Sequence, residues 1–390
     1  MGICPVTMRI CLVYDCLFPH TVGGAERWYR ALAERLATDG HEVTYLTLRQ
    51  WDRREPHGVR GVEVRVVGPR MQLYDGPGHR RVMPPLVFGA GVLWHLFWHG
   101  RRYDVVHTCS FPYFSLLAAA SVAPLHGYRL AADWFEVWSR AYWREYLGRH
   151  LGDVGWLVQR LCARVPQHAF CFSRLYARRL REAGLRGPVT LLAGAYDGPL
   201  EPRPVLPAEA LVVFAGRHIP EKRVLAIVPA IARVRSRLPE IKALILGDGP
   251  ERGQVQRAIE RSGQQDVIQS PGFVTTAAVE DAIGRALCLL LPSRREGYGL
   301  VVVEAAARGT PSVVVAHEDN AAVELIVDGQ NGFIAASDSA EDLAEAVWAV
   351  HEAGPALRES TARWFNANVE LLSLGRSLEI ALDACGRGGR

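Results

Sequence analysis

Apolar and polar positions alternate with two periods along this chain, and their order predicts repeated strand–helix units. Short β-branched or apolar runs mark strands in the first half over Arg9–Tyr14, His41–Leu48, Val62–Val67, Asp104–Thr108, Tyr128–Ala132 and Ala169–Phe172. The second half offers Leu211–Ala215, Lys242–Leu246, Val267–Ser270, Leu287–Leu291 and Ser312–Val315. Segments of helical period separate them, which predicts parallel sheets built from βα units. Between the two sets lies the proline-rich stretch Asp197–Pro207. Proline lacks the amide that a helix interior or a central strand needs, so this stretch is a stiff linker.

The pattern therefore divides the chain into a first α/β domain over residues 8–200 and a second over 201–364. A helix over about 365–385 is expected to pack back on the first domain. A length of 390 residues supports two such cores. Proteins of this kind bind ligands between the domains, at the carboxyl ends of their strands. The longest apolar stretch, Pro84–Trp98, is too short to span a bilayer and carries a proline pair and His95. It reads either as a buried helix or as a membrane-edge helix flanked by Arg80, Arg81, Arg101 and Arg102.

Composition adds three points. With 49% hydrophobic and 22% charged residues, this is an ordinary globular chain. The eight cysteines form no CxxC pair and several sit in apolar runs, so reduced core thiols are expected. The N-terminus shows no basic segment leading into a long apolar run and a cleavage site, which predicts a cytoplasmic protein. Nearly all the basic residues are arginine, and only Lys222 and Lys242 are lysines.

Candidate chemistry gathers at strand ends. Gly23 and Gly24 precede a helix, where backbone amides can approach a phosphate or sugar closely; a plain tight turn explains them equally well. Arg217 and Lys222 leave the first strand of the second domain on a turn braced by Gly216 and Pro220, placed to meet a diphosphate. The segment from Ser293 to Glu304 follows an apolar strand, so Glu296 falls in the loop and Gly297 and Gly299 open the next helix. A carboxylate repels phosphate. Glu296 and Glu304 therefore suit hydroxyl groups, of a sugar and of a ribose respectively.

At these residues the chain resembles the retaining GT-B glycosyltransferases of family 4. Glu296 and Glu304 form that family's E-x7-E element, Gly23-Gly24-Ala25-Glu26 is similar to its N-terminal GGxE loop, and Gly216-Arg217 with Lys222 to its G-R-x4-K clamp. Asp104–His107, Cys171–Ser173, Gly247–Pro250, Pro271–Phe273 and Glu324–Phe333 resemble further family signposts in order.

The resemblance implies a GT-B fold, two Rossmann-like α/β/α domains facing across a cleft. It implies that Arg217 and Lys222 neutralise the leaving diphosphate. Glu296 and the amides of Gly297, Tyr298, Gly299 and Leu300 would engage sugar and distal phosphate, Glu304 would hold the ribose, and the Phe273 region would read the base. The family often places His followed by an acid near the sugar, where this chain has Asp133-Trp-Phe135-Glu136. Asp133, Phe135 and Glu136, with His107, are therefore expected at the sugar or acceptor pocket. The aromatic run from Trp134 to Tyr146 reads as core packing or as a sugar platform.

No D-x-D pair occurs, so no metal and no cofactor beyond a nucleotide-sugar co-substrate is expected. The expected partners are that donor and a glycan, lipid-linked or small-molecule acceptor, without nucleic acid. A nucleotide-sugar 2-epimerase and a non-catalytic sugar-binding protein are the competing readings. Residues 1–200 carry 25 basic against 16 acidic side chains, while the remainder carries 20 against 25. The positive first half reads either as an arginine-rich solvated face or as a surface leaning on an anionic membrane, at its cytoplasmic side.

Overall fold

A computed structural model describes residues 7–21, 23–52, 58–73 and 80–386. They fall into two compact units, one holding the described residues up to 195 together with 374–386, the other 196–373. In the first unit, β1 (Arg9–Val13), α1 (Gly24–Thr38), β2 (Glu42–Leu48) and β3 (Val62–Gly68) are followed by α2 (Met83–His99) and β4 (Val105–Cys109). Next come α3 (Phe114–His126), β5 (Arg129–Trp134), the helix pair α4 (Arg140–Leu147) and α5 (Arg149–Arg164), β6 (His168–Cys171), α6 (Arg174–Glu182) and β7 (Val189–Leu191). The sheet is parallel in the order β3-β2-β1-β4-β5-β6-β7. The strand order reverses between β1 and β4, where an open α/β sheet leaves a crevice for ligands.

The second unit repeats the scheme. It contains β8 (Leu211–Ala215), α7 (Ile227–Val234), β9 (Lys242–Leu246), α8 (Arg252–Arg261), β10 (Ile268–Gly272), α9 (Thr276–Arg285) and β11 (Cys288–Leu291). The two-residue β12 (Arg295–Glu296), α10 (Leu300–Ala306), β13 (Ser312–Val315), β14 (Asp319–Asn320), β15 (Gly332–Ala335) and the long α11 (Ala340–Leu372) complete it. Its parallel sheet runs β10-β9-β8-β11-β13-β15, so the switch point lies between β8 and β11. Helix α12 (Leu374–Gly386) belongs to the first unit, where Ser377 Oγ donates to the Gly194 carbonyl at 2.6 Å.

Local chemistry fixes the ends of these elements. Ser173, Thr275 and Ser339 accept the third amide of α6, α9 and α11, filling backbone donors that a helix start leaves unpaired. Helix α11 breaks at Gly354, whose φ of +60° only glycine adopts without cost. Inside the second unit, Arg358 is buried and donates to the carbonyls of Leu206 (3.0 Å), Ala286 (2.5 Å) and Gly284 (2.7 Å). One side chain thus ties the proline-rich stretch and the α9–β11 turn to α11. The six described cysteines (11, 16, 109, 162, 171 and 288) are free and buried, and burial pushes the thiols of Cys171 and Cys288 up to about 12. Cys4 and the side chain of Cys385 lie outside the described residues.

Every strand expected from the pattern is present, within two residues at each end. The pattern did not reveal β7, β12, β14 or β15, which have two to four residues each. Segments so short offer no periodicity, and partner strands define them.

Candidate active site

The loop after β8 is shaped by the loop after β9. Gly216 N–H donates to the Leu246 carbonyl (3.1 Å), His218 N–H to Asp248 (2.8 Å), and Glu251 N–H returns to the His218 carbonyl (3.0 Å). This close fit needs glycine opposite. Gly247 sits at φ +115°, and a Cβ there would lie 1.9 Å from the Gly216 oxygen; one on Gly249, at φ +156°, would lie 2.5 Å from that of His218. Arg217 stands between the two zipped residues. It is exposed, and its side chain has no protein partner among the described residues. His218 points the other way, buried against Phe214, and burial holds its imidazole below the ordinary range.

A 3-10 turn over Pro220–Lys222 then delivers Lys222, and its Nζ donates to Glu296 Oε1 at 2.5 Å. Both side chains are largely covered, at 19% and 9% exposed, so the pair is weakly screened by water. Neighbouring contacts hold the two loops in register. Arg294 N–H donates to the Glu221 carbonyl (2.9 Å), and Arg295 lies 3.4 Å from the Glu221 carboxylate. Strand β12 pairs with β14, placing Glu296 beside Asn320. Buried Asn320 donates to the carbonyls of Ser293 (3.1 Å) and Val315 (2.8 Å) and accepts from Ala322 N–H (3.1 Å). Its amide therefore fixes the segment carrying Glu296.

Helix α10 begins directly after this segment. Gly299 caps it at φ +98°, where a Cβ would sit 2.7 Å from the Cβ of Ala322. Gly297 and Leu300 are half-buried, and Tyr298 packs on the core, which raises its phenol above the ordinary range. Glu304 lies half-buried in the second turn of α10. Phe273 follows β10 with 79% of its surface exposed, an aromatic ring that the fold itself does not use. Arg217, Lys222, Glu296, Gly297, Gly299 and Glu304 thus all leave β8, β11 or the segment just after β11, the two strands that flank the switch point.

In the first unit, Gly23 caps α1, and a Cβ there would meet the Glu26 carboxylate at 2.4 Å. Gly24 opens the helix with nothing within 4 Å of its would-be Cβ. The expected pocket residues separate into two groups. Asp133 is fully buried: Oδ2 accepts from Trp28 Nε1 (2.8 Å), and Oδ1 lies 2.9 Å from His107 Nε2. Asp133 and His107 are thus buried within the first unit, where they tie the start of α1 to β4 and β5. Phe135, half-buried, stacks on Phe172 (4.8 Å), and Glu136 accepts from Trp138 Nε1 at 2.6 Å. Within the aromatic run, Trp134, Tyr142 and Trp143 are core, whereas Phe135, Trp138 and Tyr146 stay partly open.

Three residues at this site were missed in the sequence. The Glu221–Arg295 tie and the Asn320–Ser293 brace join positions 74 and 27 residues apart, with no local signal of their contact. Gly247–Pro250 was visible as a signpost, but its role as a template for Arg217 emerges only from the loop geometry.

Comparison with known proteins agrees with this geometry. The family description "Glycosyl transferases group 1" matches residues 203–364, and "Glycosyltransferase Family 4" matches residues 22–197. Among curated relatives, an alpha-D-kanosaminyltransferase of Streptomyces kanamyceticus is 31% identical over 39% of this chain and 39% of its own. A D-inositol 3-phosphate glycosyltransferase of Arthrobacter is 30% identical over 44% of this chain and 41% of its own. The matched stretches thus span about two fifths of those relatives' length. Among solved structures, sucrose-phosphate synthase of Thermosynechococcus elongatus superposes with a TM-score of 0.75 at 16% identity, covering 97% of this chain and 98% of that one. Anabaena HepE, solved in complex with UDP, gives 0.73 at 17% identity over 97% and 99%. These two share the fold.

Proposed function

The chain belongs to the GT-B glycosyltransferases of family 4, and from that membership we propose a retaining, metal-independent enzyme. It moves a sugar from a nucleoside diphosphate donor to a glycan, lipid-linked or small-molecule acceptor. The observation that carries this reading is the Lys222–Glu296 contact at 2.5 Å at the switch point, with Arg217 nearby lacking a side-chain partner among the described residues. The UDP held by the HepE relative supports a nucleoside diphosphate as the donor's handle.

In the proposed reaction the bond from the sugar's anomeric carbon to the diphosphate breaks, and the electron pair leaves with the phosphate. Arg217 offers a planar fork to that growing charge and Lys222 a point charge, both preorganised by the template loop. Glu296, already accepting from Lys222, accepts hydrogen bonds from sugar hydroxyls on its second oxygen. The acceptor oxygen attacks the face the phosphate vacates, and its proton passes to the departing phosphate oxygen. No carboxylate base is needed. Glu304 accepts from the ribose hydroxyls, and exposed Phe273 marks the loop that meets the base.

Two tests arise here. UDP should raise the melting temperature, since a ligand at a hundred times its Kd adds about 2.7 kcal/mol to the folded state. Transfer from the matching UDP-sugar should then persist in EDTA with the anomeric configuration kept. Loss of turnover that added magnesium or manganese restores would reject metal independence, and donor epimerised without acceptor would reject transfer. Separately, Glu304→Gln should weaken UDP binding by about 1.5–3 kcal/mol, because its charge-assisted bonds become neutral ones. Calorimetry decides; an unchanged Kd removes Glu304 from the ribose site.

The positive first half suggests a further partner, an anionic membrane at which the protein sits peripherally on the cytoplasmic side. No helix among the described residues is long and apolar enough to cross a membrane.

A further inference from the structure

A surface helix normally buries one apolar stripe and wets the other side. Helix α2 does not. Phe88, Val92 and Leu96 pack inward, yet its outer side presents Met83, Leu86, Leu93, Trp94, Phe97 and Trp98. Trp94 is 69% exposed and Trp98 62%. None of the described residues covers this side, and a helix apolar all round needs a second apolar medium.

The same condition recurs on α5, where Leu151, Val154, Leu157 and Leu161 stand exposed at helical spacing. Between these helices lies α3, with Leu125 exposed. The crossings β3→β4, β4→β5 and β5→β6 all move the same way along the sheet, so right-handed connections put α2, α3 and α5 on one face. Contacts agree, since Tyr113 at the start of α3 donates to Gln159 of α5 at 2.9 Å. Two apolar stripes therefore share one side of the first unit.

Charge identifies the occupant. From Arg80 to Tyr103 there is no Asp or Glu, while Arg81, Arg101 and Arg102 are exposed at the two ends of α2. Arg149 and Arg164 are exposed at the ends of α5. Its one acid, Asp153, is already held by Arg140 (2.7 Å) and Arg144 (2.8 Å). Apolar stripes with tryptophan, bounded by uncompensated arginine, match a layer that is oily within and anionic at its surface. We propose that the α2–α3–α5 face docks on an anionic lipid bilayer. This narrows the membrane partner named above to one face and rests on that part of the proposal alone.

Flotation with vesicles tests it on the full chain, without donor or acceptor, so its failure leaves the transferase reading intact. Vesicles of about seven parts phosphatidylcholine to three of phosphatidylglycerol should bind at least about tenfold better than phosphatidylcholine alone, and high salt should reverse the gain. Trp94→Glu with Trp98→Glu should cut binding at least about tenfold, and Val154→Glu with Leu157→Glu should weaken it independently. All four positions are exposed, so unchanged melting curves are expected and certify the fold. Absence of flotation at low salt overturns the proposal. So does a concentration-dependent dimer that the same substitutions abolish, which would assign the face to a second copy.

Discussion

Replacing Lys222 with alanine should lower kcat/KM about a hundredfold, near 2.7 kcal/mol of transition-state stabilisation. Two losses combine. The diphosphate loses a cation, and Glu296, only 9% exposed, loses the partner 2.5 Å away. A carboxylate that Lys222 no longer neutralises then repels the leaving group of the proposed reaction. The double variant Lys222→Ala with Glu296→Gln separates these terms. Removing the stranded charge should restore much of the melting temperature while leaving transfer poor, because the clamp is still missing. Steady-state rates over a range of donor concentrations provide the measurement, with the melting curve as control. Near-normal turnover in the single variant would remove Lys222 from the reaction.

The parts of this fold that were legible in the sequence are those where burial writes a continuous signal. Strands β8, β11 and β13 are almost wholly buried, so their apolar runs stand out against the charged helices between them. The same burial hid the position of Asp133. On β5 five of six positions are buried, and a strand covered on both faces loses the alternation that tells inward from outward. The resemblance placed Asp133 near the sugar; that its carboxylate accepts from the indole of Trp28, 105 residues earlier, no local pattern encodes.

Helix α2 posed the opposite difficulty. A buried helix and a membrane-edge helix predict the same apolar run, and the structure satisfies the first reading on one side and leaves the other side bare. At the candidate site, spacing identified Arg217, Lys222 and Glu296 as separate residues. That Lys222 reaches Glu296 across 74 positions follows from the adjacency of β8 and β11, a long-range pairing that no local pattern encodes.

Gly247→Ala should be nearly as damaging as loss of the clamp itself, although Gly247 carries no functional group. Its φ of +115° disfavours any side chain, and a Cβ would press to 1.9 Å from the Gly216 oxygen. The backbone must yield, and the residue that moves is followed by Arg217. Strain and displacement can be separated by Gly263→Ala, where φ is +64° but nothing lies within 4 Å of the new methyl. That control should cost only about 1–2 kcal/mol of stability and leave the rate intact. Gly247→Ala should lose that much and, in addition, at least about tenfold in kcat/KM. If the extra loss arises because Arg217 is misplaced, Gly247→Ala combined with Arg217→Ala should be no slower than Arg217→Ala alone, since a displaced side chain cannot be missed twice. Full additivity of the two would show instead that Gly247 supports the site by a route that does not pass through Arg217.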